Sequence, residues 1–265
     1  MITYDVFSGG CKSVFTMSYD DGKTEDRRLV ALMNKYGIKG TFNLNSGRLG
    51  SGDEFVRPDE VKDLYRGHEV AVHTVTHPWL NRCSADTLYK EIAEDRRALE
   101  RLVGYPVRGM AYPFGLCDDR IVEVAKNAGI VYSRTTSRDD FNIPSDFLRL
   151  KSTCHHRDAL EMLEKFSEYV KPSWRSGCCF YVWGHSYEFK TEEDWANIEK
   201  LFIGIKEVDS VWFATNIEIY DYLTAQRSLR ITLDEDMVEN PTSVDVWIKK
   251  DGKVVKIPKC STVML

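Results

Sequence analysis

The sequence has no surplus of positive charge. Its 265 residues carry 36 Lys and Arg against 41 Asp and Glu, a formal net charge of -5. Without a basic footprint, a nucleic-acid partner is not expected. No apolar run approaches the roughly 20 residues of a membrane-spanning helix, so no membrane partner is expected either. The opening MITYDVFSGG has neither the basic nor the apolar stretch of a signal peptide, which points to a cytoplasmic location. The seven cysteines are odd in number and scattered, with no C-x-x-C pair. That argues against a disulfide framework or a thiolate zinc site and for reduced, mostly buried thiols. There is no internal repeat and no low-complexity linker, so a flexible two-domain hinge is not expected. Nothing in the pattern speaks to oligomeric state.

What is present is an ordinary globular balance, 43% hydrophobic and 29% charged, with a full complement of aromatics at 12%. Apolar runs alternate with amphipathic ones. Ser13–Ser18, Lys39–Asn45, "HEVAVHT", "VRGMAYPFG", "IVYSRTT", "CCFYVWGHS" and "DSVWFAT" read as strands. Between them, Glu25–Tyr36, "RPDEVKDLYRG", Ser84–Val103, Asp118–Gly129, Ala159–Val170 and Glu192–Ile205 read as helices. Gly37 stops the first of these, and Ser84 is a fair N-cap for the longest. About seven strand–helix repeats imply an α/β fold, a distorted (β/α) barrel of about seven parallel strands, over residues 1–224. Beyond it, "SLRITLD", "SVDVWIKK" and "VVKIP" alternate in polarity, with Asp251-Gly252 as a hairpin turn. Residues 225–265 are therefore expected to form a small antiparallel β extension packed on the barrel.

Active sites of β/α barrels lie at the C-terminal ends of the strands. In this sequence those ends carry Asp20-Asp21-Gly22, then His73 and His77 in "HTVTHP", then Tyr112-Pro113-Phe114-Gly115, Arg134, and His185. Each has an ordinary reading alone: a solvated turn, a polar loop, a hydrogen-bonded histidine. Their coincidence in order and position favours a metal site with acid–base partners, since one carboxylate and two imidazoles commonly hold a catalytic dication. Other polar groups read as less central. His155-His156 is expected to cap the following helix, Glu188 to be a surface acid, and Asp139 and Asp140 to decorate a loop. His68 precedes its strand and so sits at the wrong end.

With these residues in view, the chain resembles the polysaccharide deacetylase family, carbohydrate esterase family 4. Ser18-Tyr19-Asp20-Asp21-Gly22 is similar to its first motif, T-F-D-D-G. His73-Thr74-Val75-Thr76-His77 matches its second, H-[ST]-x-x-H. Ala111 to Gly115 and Tyr181 to His185 are similar to its third and last motifs. The resemblance spans roughly Ser13 to Thr215 and implies a hydrolase that removes acetyl groups from an N- or O-acetylated sugar or oligosaccharide. It implies that Asp21, His73 and His77 hold a divalent metal, zinc first, with cobalt, nickel, manganese or iron as alternatives. It further implies Asp20 as general base, His185 as general acid, and the Phe114 amide at the oxyanion. Tyr112, Trp183 and Tyr187 are the expected substrate-contacting aromatics.

The sequence departs from the family at one point of consequence. The third-motif arginine that orients the base is replaced by Ala111, and the usual bracing Asp-Trp motif has no clear counterpart. Arg134 either supplies the missing guanidinium from the next strand end or is a structural ion pair. The same site could also serve a hydrolase of another linear or cyclic amide. A sugar-binding scaffold is disfavoured by the full set of acids and histidines. A two-histidine, one-carboxylate iron oxygenase is disfavoured by the adjacent Asp20.

Overall fold

The computed structural model describes all 265 residues. In chain order they form β1 (Ile2–Thr3), β2 (Ser13–Asp20), α1 (Asp26–Tyr36), β3 (Thr41–Leu44), α2 (Val61–Leu64), β4 (Glu69–Val72) and α3 (Ala85–Val103). There follow β5 (Gly109–Ala111), α4 (Asp119–Asn127), β6 (Tyr132–Arg138), β7 (Leu150–Ser152), β8 (Cys154–His155), α5 (Ala159–Val170), β9 (Cys178–Gly184), α6 (Glu192–Glu207) and β10 (Val211–Phe213). The chain closes with α7 (Asn216–Arg227), β11 (Arg230–Ile231), β12 (Met237–Asn240), β13 (Val246–Lys250), β14 (Lys253–Ile257) and β15 (Ser261–Met264).

β2 is the axis of the parallel sheet, and all eight of its residues are buried. That is what a parallel strand covered on both faces requires. One edge pairs with β9 from Ser13↔Cys178 to Tyr19↔Gly184. The other edge is shared: β10 takes its first half and β3 its second. From β3 the sheet continues in parallel through β4, β5 and β6. β7 pairs with β6, β8 pairs with β9, and only Thr153 separates them. The Thr153 amide donates to the Tyr181 carbonyl at 2.8 Å, so Leu150–His155 bridges the two ends of the sheet and closes the ring. These two short strands were not expected from the sequence, where their residues lie in the irregular stretch before the His155-His156 pair.

Alternate residues of the strands serve different layers, as a period of two demands. Phe15, Met17 and Tyr19 of β2 join Phe180 and Val182 of β9 in a core shared with the outer helices. That core includes Leu29 and Met33 of α1 and Leu88, Ile92 and Leu99 of α3. Ser84 caps α3 by accepting from the Thr87 amide, and Gly37, at φ 65, ends α1 in the left-handed turn that glycine adopts without penalty. The opposite residues Val14, Tyr132, Cys179 and Tyr181 belong to a second core with α7 and the C-terminal strands.

The C-terminal region is antiparallel, as expected, but it forms two three-stranded sheets: β1-β13-β14 and β11-β12-β15. Asp251 and Gly252 both have positive φ, and they join β13 to β14 in the hairpin their dipeptide suggests. Two features depart from expectation. The N-terminus contributes β1 to the first sheet, pairing Ile2 with Lys250. Residue 225, taken as the start of the extension, lies inside α7. That helix showed no clean apolar stripe because its buried side includes Asn216 and Gln226, which are hydrogen-bonded to Tyr181, Val6 and Trp247.

Candidate active site

β2 carries its ladder through Asp20, so the first acid belongs to the strand and the second to the turn. Asp20 is buried, and it accepts a hydrogen bond from Asn43 Nδ2 at 2.8 Å and another from Arg134 Nη2. Arg134 rises from β6 and is itself 1% exposed. Its guanidinium lies 4.5 Å from the Trp183 ring centre, so the indole packs on the cation that pairs with the acid. Burial alone would push the Asp20 carboxyl up. The charges of Arg134, His73 and His185 outweigh it and hold the group at about 2, ionised. Arg134 thus brings a guanidinium to Asp20 from the end of the strand next to the one that carries Ala111. Asp139 and Asp140 are exposed on the loop beyond β6.

Asp21 turns the chain at φ 79 and brings Oδ1 to 3.9 Å from both His73 Nε2 and His77 Nε2. His73 Nδ1 lies 2.7 Å from the Ala111 carbonyl, which can only accept. The ring proton is thus placed on Nδ1 and the Nε2 lone pair is left facing the acids. Ala111, without a functional side chain, still orients the site through its backbone. The His73 amide and the Ser46 amide both donate to buried Asp95 of α3, at 3.0 and 2.7 Å, fixing the strand end. The His77 amide donates to Thr74 Oγ1 at 3.1 Å. Eight non-glycine residues in the chain have positive φ, and four of them, Asp21, Thr74, His77 and Phe114, are clustered here. Backbone held in that region is a cost that gathers at functional sites.

These three residues fit a divalent ion. Asp21 Oδ1 is buried with no hydrogen-bond partner, the two Nε2 atoms converge on it, and all three ligand atoms lie within 4.8 Å of one another. Burial pushes both imidazoles down, His77 to about 4, so their lone pairs are free near neutrality.

His185 completes the cluster from the end of β9, with Nε2 4.0 Å from Asp20 Oδ2. Burial lowers its pKa, but Glu188 and the two aspartates outweigh that and hold the ring above its ordinary value. Glu188 is not the solvated acid expected from sequence. Its side chain is 16% exposed, and it lies 3.6 Å from His185 Nδ1, 2.9 Å from His155 Nε2, 3.2 Å from His156 Nε2 and 3.0 Å from Arg157. His155 does cap the turn that follows, accepting from the Arg157 amide at 3.4 Å, but its other nitrogen faces Glu188. His68 lies in a separate buried setting against Gly40 and Asn34.

The expected aromatic contacts divide. Tyr187 is half-buried at the rim, its ring centre 5.1 Å from that of His185. Trp183 borders the site but has one face on Arg134 and an edge contact with His155. Tyr112 does not line a cleft: it is 1% exposed, and its hydroxyl donates to the Leu148 carbonyl at 2.9 Å, because β5 turns it into the core. Phe114 is 42% exposed beside His77, with its ring stacked on exposed Trp79 at 4.0 Å. Asn43 and Asp95 are not singled out by the sequence, and Glu188 reads there as a surface acid. Asn43 alone had a visible signal, an amide in the middle of a buried strand.

The parallel β/α barrel thus gathers two adjacent acids and three imidazoles at its strand ends, groups able to exchange protons and to hold an ion. Residues 8–133, just under half of the chain, match the polysaccharide deacetylase family. Chitin deacetylase 1 of Cryptococcus neoformans var. grubii is 26% identical over 137 residues, 51% of this chain and 28% of that one. The chain spans only about half the length of the next two curated relatives it matches, 55% and 54%. A proposed polysaccharide deacetylase from Mycobacterium smegmatis shares the fold with a TM-score of 0.64 and 15% identity, over 88% of this chain and 98% of that one. A carbohydrate esterase family 4 pseudoenzyme from Bacillus anthracis also shares it, with a TM-score of 0.53 and 18% identity over 78% and 65%. The fold thus includes a member described as a pseudoenzyme, and activity has to be argued from the site.

Proposed function

We propose that the protein is a metal-dependent deacetylase of an N- or O-acetylated carbohydrate. Asp21, His73 and His77 would hold the divalent ion, zinc ahead of cobalt, nickel, manganese or iron. Such an ion, when bound, supplies a Lewis acid that makes water a better nucleophile and polarises the acyl oxygen. The residues around it do the rest. Asp20, ionised and pinned by Arg134 and Asn43, takes a proton from water as the water oxygen bonds to the acetyl carbon. The Phe114 amide steadies the developing oxyanion, a type of donor worth roughly 3 kcal/mol. His185 then gives its Nε2 proton to the departing amine or alcohol as the bond to the acyl carbon breaks, and acetate leaves. One proton enters through Asp20 and one leaves through His185, so the pair is restored by a single transfer between groups 4.0 Å apart. Tyr187 and Trp183 border the space a sugar ring would occupy.

The observation that carries this reading is the separation of the two acids. Asp20 is engaged by a guanidinium and an amide, whereas neighbouring Asp21 leaves Oδ1 unpartnered between two imidazoles. The test is acetate release from N-acetylated chitooligosaccharides and O-acetylated xylooligosaccharides by protein stripped with a chelator and then reloaded with zinc or cobalt. Release that disappears on stripping and returns on reloading is expected. No acetate from either substrate class, with the ion bound, would overturn the proposal.

A further inference from the structure

Next to the site just described lies a second convergence of metal-ligating atoms that the reaction does not use. His155 Nε2, His185 Nδ1 and the Glu188 carboxylate lie within 4.8 Å of one another. Two of these ligand atoms, His185 Nδ1 and Glu188 Oε2, are buried with no hydrogen-bond partner. Buried polar atoms are nearly always paired, so two orphans that converge in one cluster require an explanation. Glu188 Oε2 lies 2.9 Å from His155 Nε2 and 3.2 Å from His156 Nε2, so one carboxylate oxygen faces two imidazole nitrogens. The cluster is built by the fold. His155 comes from β8, Glu188 from the turn after β9, and Gly184 lets His156 press close behind. A Cβ added at Gly184 would lie 2.0 Å from His156 Nδ1.

We infer that His155, His185 and Glu188 form a second divalent-cation site. Two imidazoles and one carboxylate suit zinc or cobalt better than magnesium or calcium, which prefer oxygen. The Arg157 amide reaches His155 Nδ1 only at 3.4 Å and would have to release it, because metallation of Nε2 puts the ring proton on Nδ1. Arg157 can keep Glu188 Oε1 while the ion takes Oε2. An ion on His185 Nδ1 leaves Nε2 holding its proton tightly, since giving it up would create a metal-bound imidazolate. Occupancy would therefore remove the general acid and make excess zinc an inhibitor. This consequence, unlike the site itself, rests on the acid role assigned to His185.

The experiment counts ions, not turnover. Full-length protein equilibrated with rising free zinc, then with cobalt, is expected to bind two equivalents by elemental analysis. Asp21→Asn should retain the second, with a visible cobalt absorption band of its own. His155→Ala, or His155→Gln if alanine disturbs folding by circular dichroism, should retain the first equivalent only. In the kinetic arm, the zinc concentration that halves acetate release should rise at least tenfold in the His155 variant. Saturation of the wild type at one equivalent, or two equivalents in both His155 variants, would overturn the inference.

Discussion

Replacing Arg134 by Met tests what holds Asp20 in place. Methionine fills similar length, keeps contact with Trp183 and removes the charge. The shift of Asp20 from 3.8 to about 2 corresponds to roughly 2 kcal/mol of folded-state stability near neutrality. The sign follows from the direction: a depressed carboxyl stabilises the fold above its unfolded pKa, and that stability is lost as pH falls from about 4 toward 2. Removing the cation also strands a buried anion, a change that typically costs about 3–5 kcal/mol. Arg134→Met should therefore melt earlier, and because burial is no longer opposed by the guanidinium, the Asp20 pKa should rise. In acetate-release assays the acid limb of kcat/KM should move up by at least about one unit, a tenfold change in proton affinity. Arg134→Lys should fall between, keeping charge but losing the flat packing on Trp183. A variant with wild-type kcat and an unmoved acid limb would show Arg134 to be only a structural ion pair.

Three further outcomes follow from packing and protonation. Gly109→Ala would place a Cβ 2.2 Å from the Tyr132 hydroxyl, which donates to Glu69 at 2.6 Å; a loss of about 1–3 kcal/mol in denaturant unfolding is expected, and wild-type stability would refute the overlap. His68 accepts from the Gly40 amide on Nδ1 and is held down to about 4, chiefly by burial. The unfolded chain binds more protons between that value and 6.5, so stability should fall by up to about 3 kcal/mol as pH drops through this window. His68→Gln should flatten the loss, and an unchanged slope would assign it elsewhere. Tyr112→Phe removes the bond to the Leu148 carbonyl and should cost about 1 kcal/mol without changing KM, whereas a several-fold rise in KM would return Tyr112 to the substrate cleft.

The barrel could be read from sequence because its signals are local. Buried parallel strands are nearly continuous apolar runs, and the helices between them carry one-sided stripes and caps such as Ser84. The positions of Asp20, Asp21, His73, His77 and His185 followed from strand polarity and order. What escaped was set by tertiary geometry. β7 and β8 are too short to show periodicity and exist because they close the ring. α7 buries amides as well as apolar groups, so its face was masked. Glu188 looked like a surface acid because His155 and His156 reach it from a different strand end, and Tyr112 looked like a rim aromatic because only the fold of β5 reveals which way it points.

The division of labour between the two adjacent acids is most directly examined with Asp20→Asn. The amide keeps the shape of the side chain and its contact with Asn43 but cannot take a proton from water. The account predicts a folded protein that still binds zinc through Asp21, His73 and His77, as counted by elemental analysis, and whose acetate release falls by at least about 100-fold, as loss of a general base commonly entails. Full zinc with near-wild-type acetate release would contradict it, because Asp20 would then not be the base.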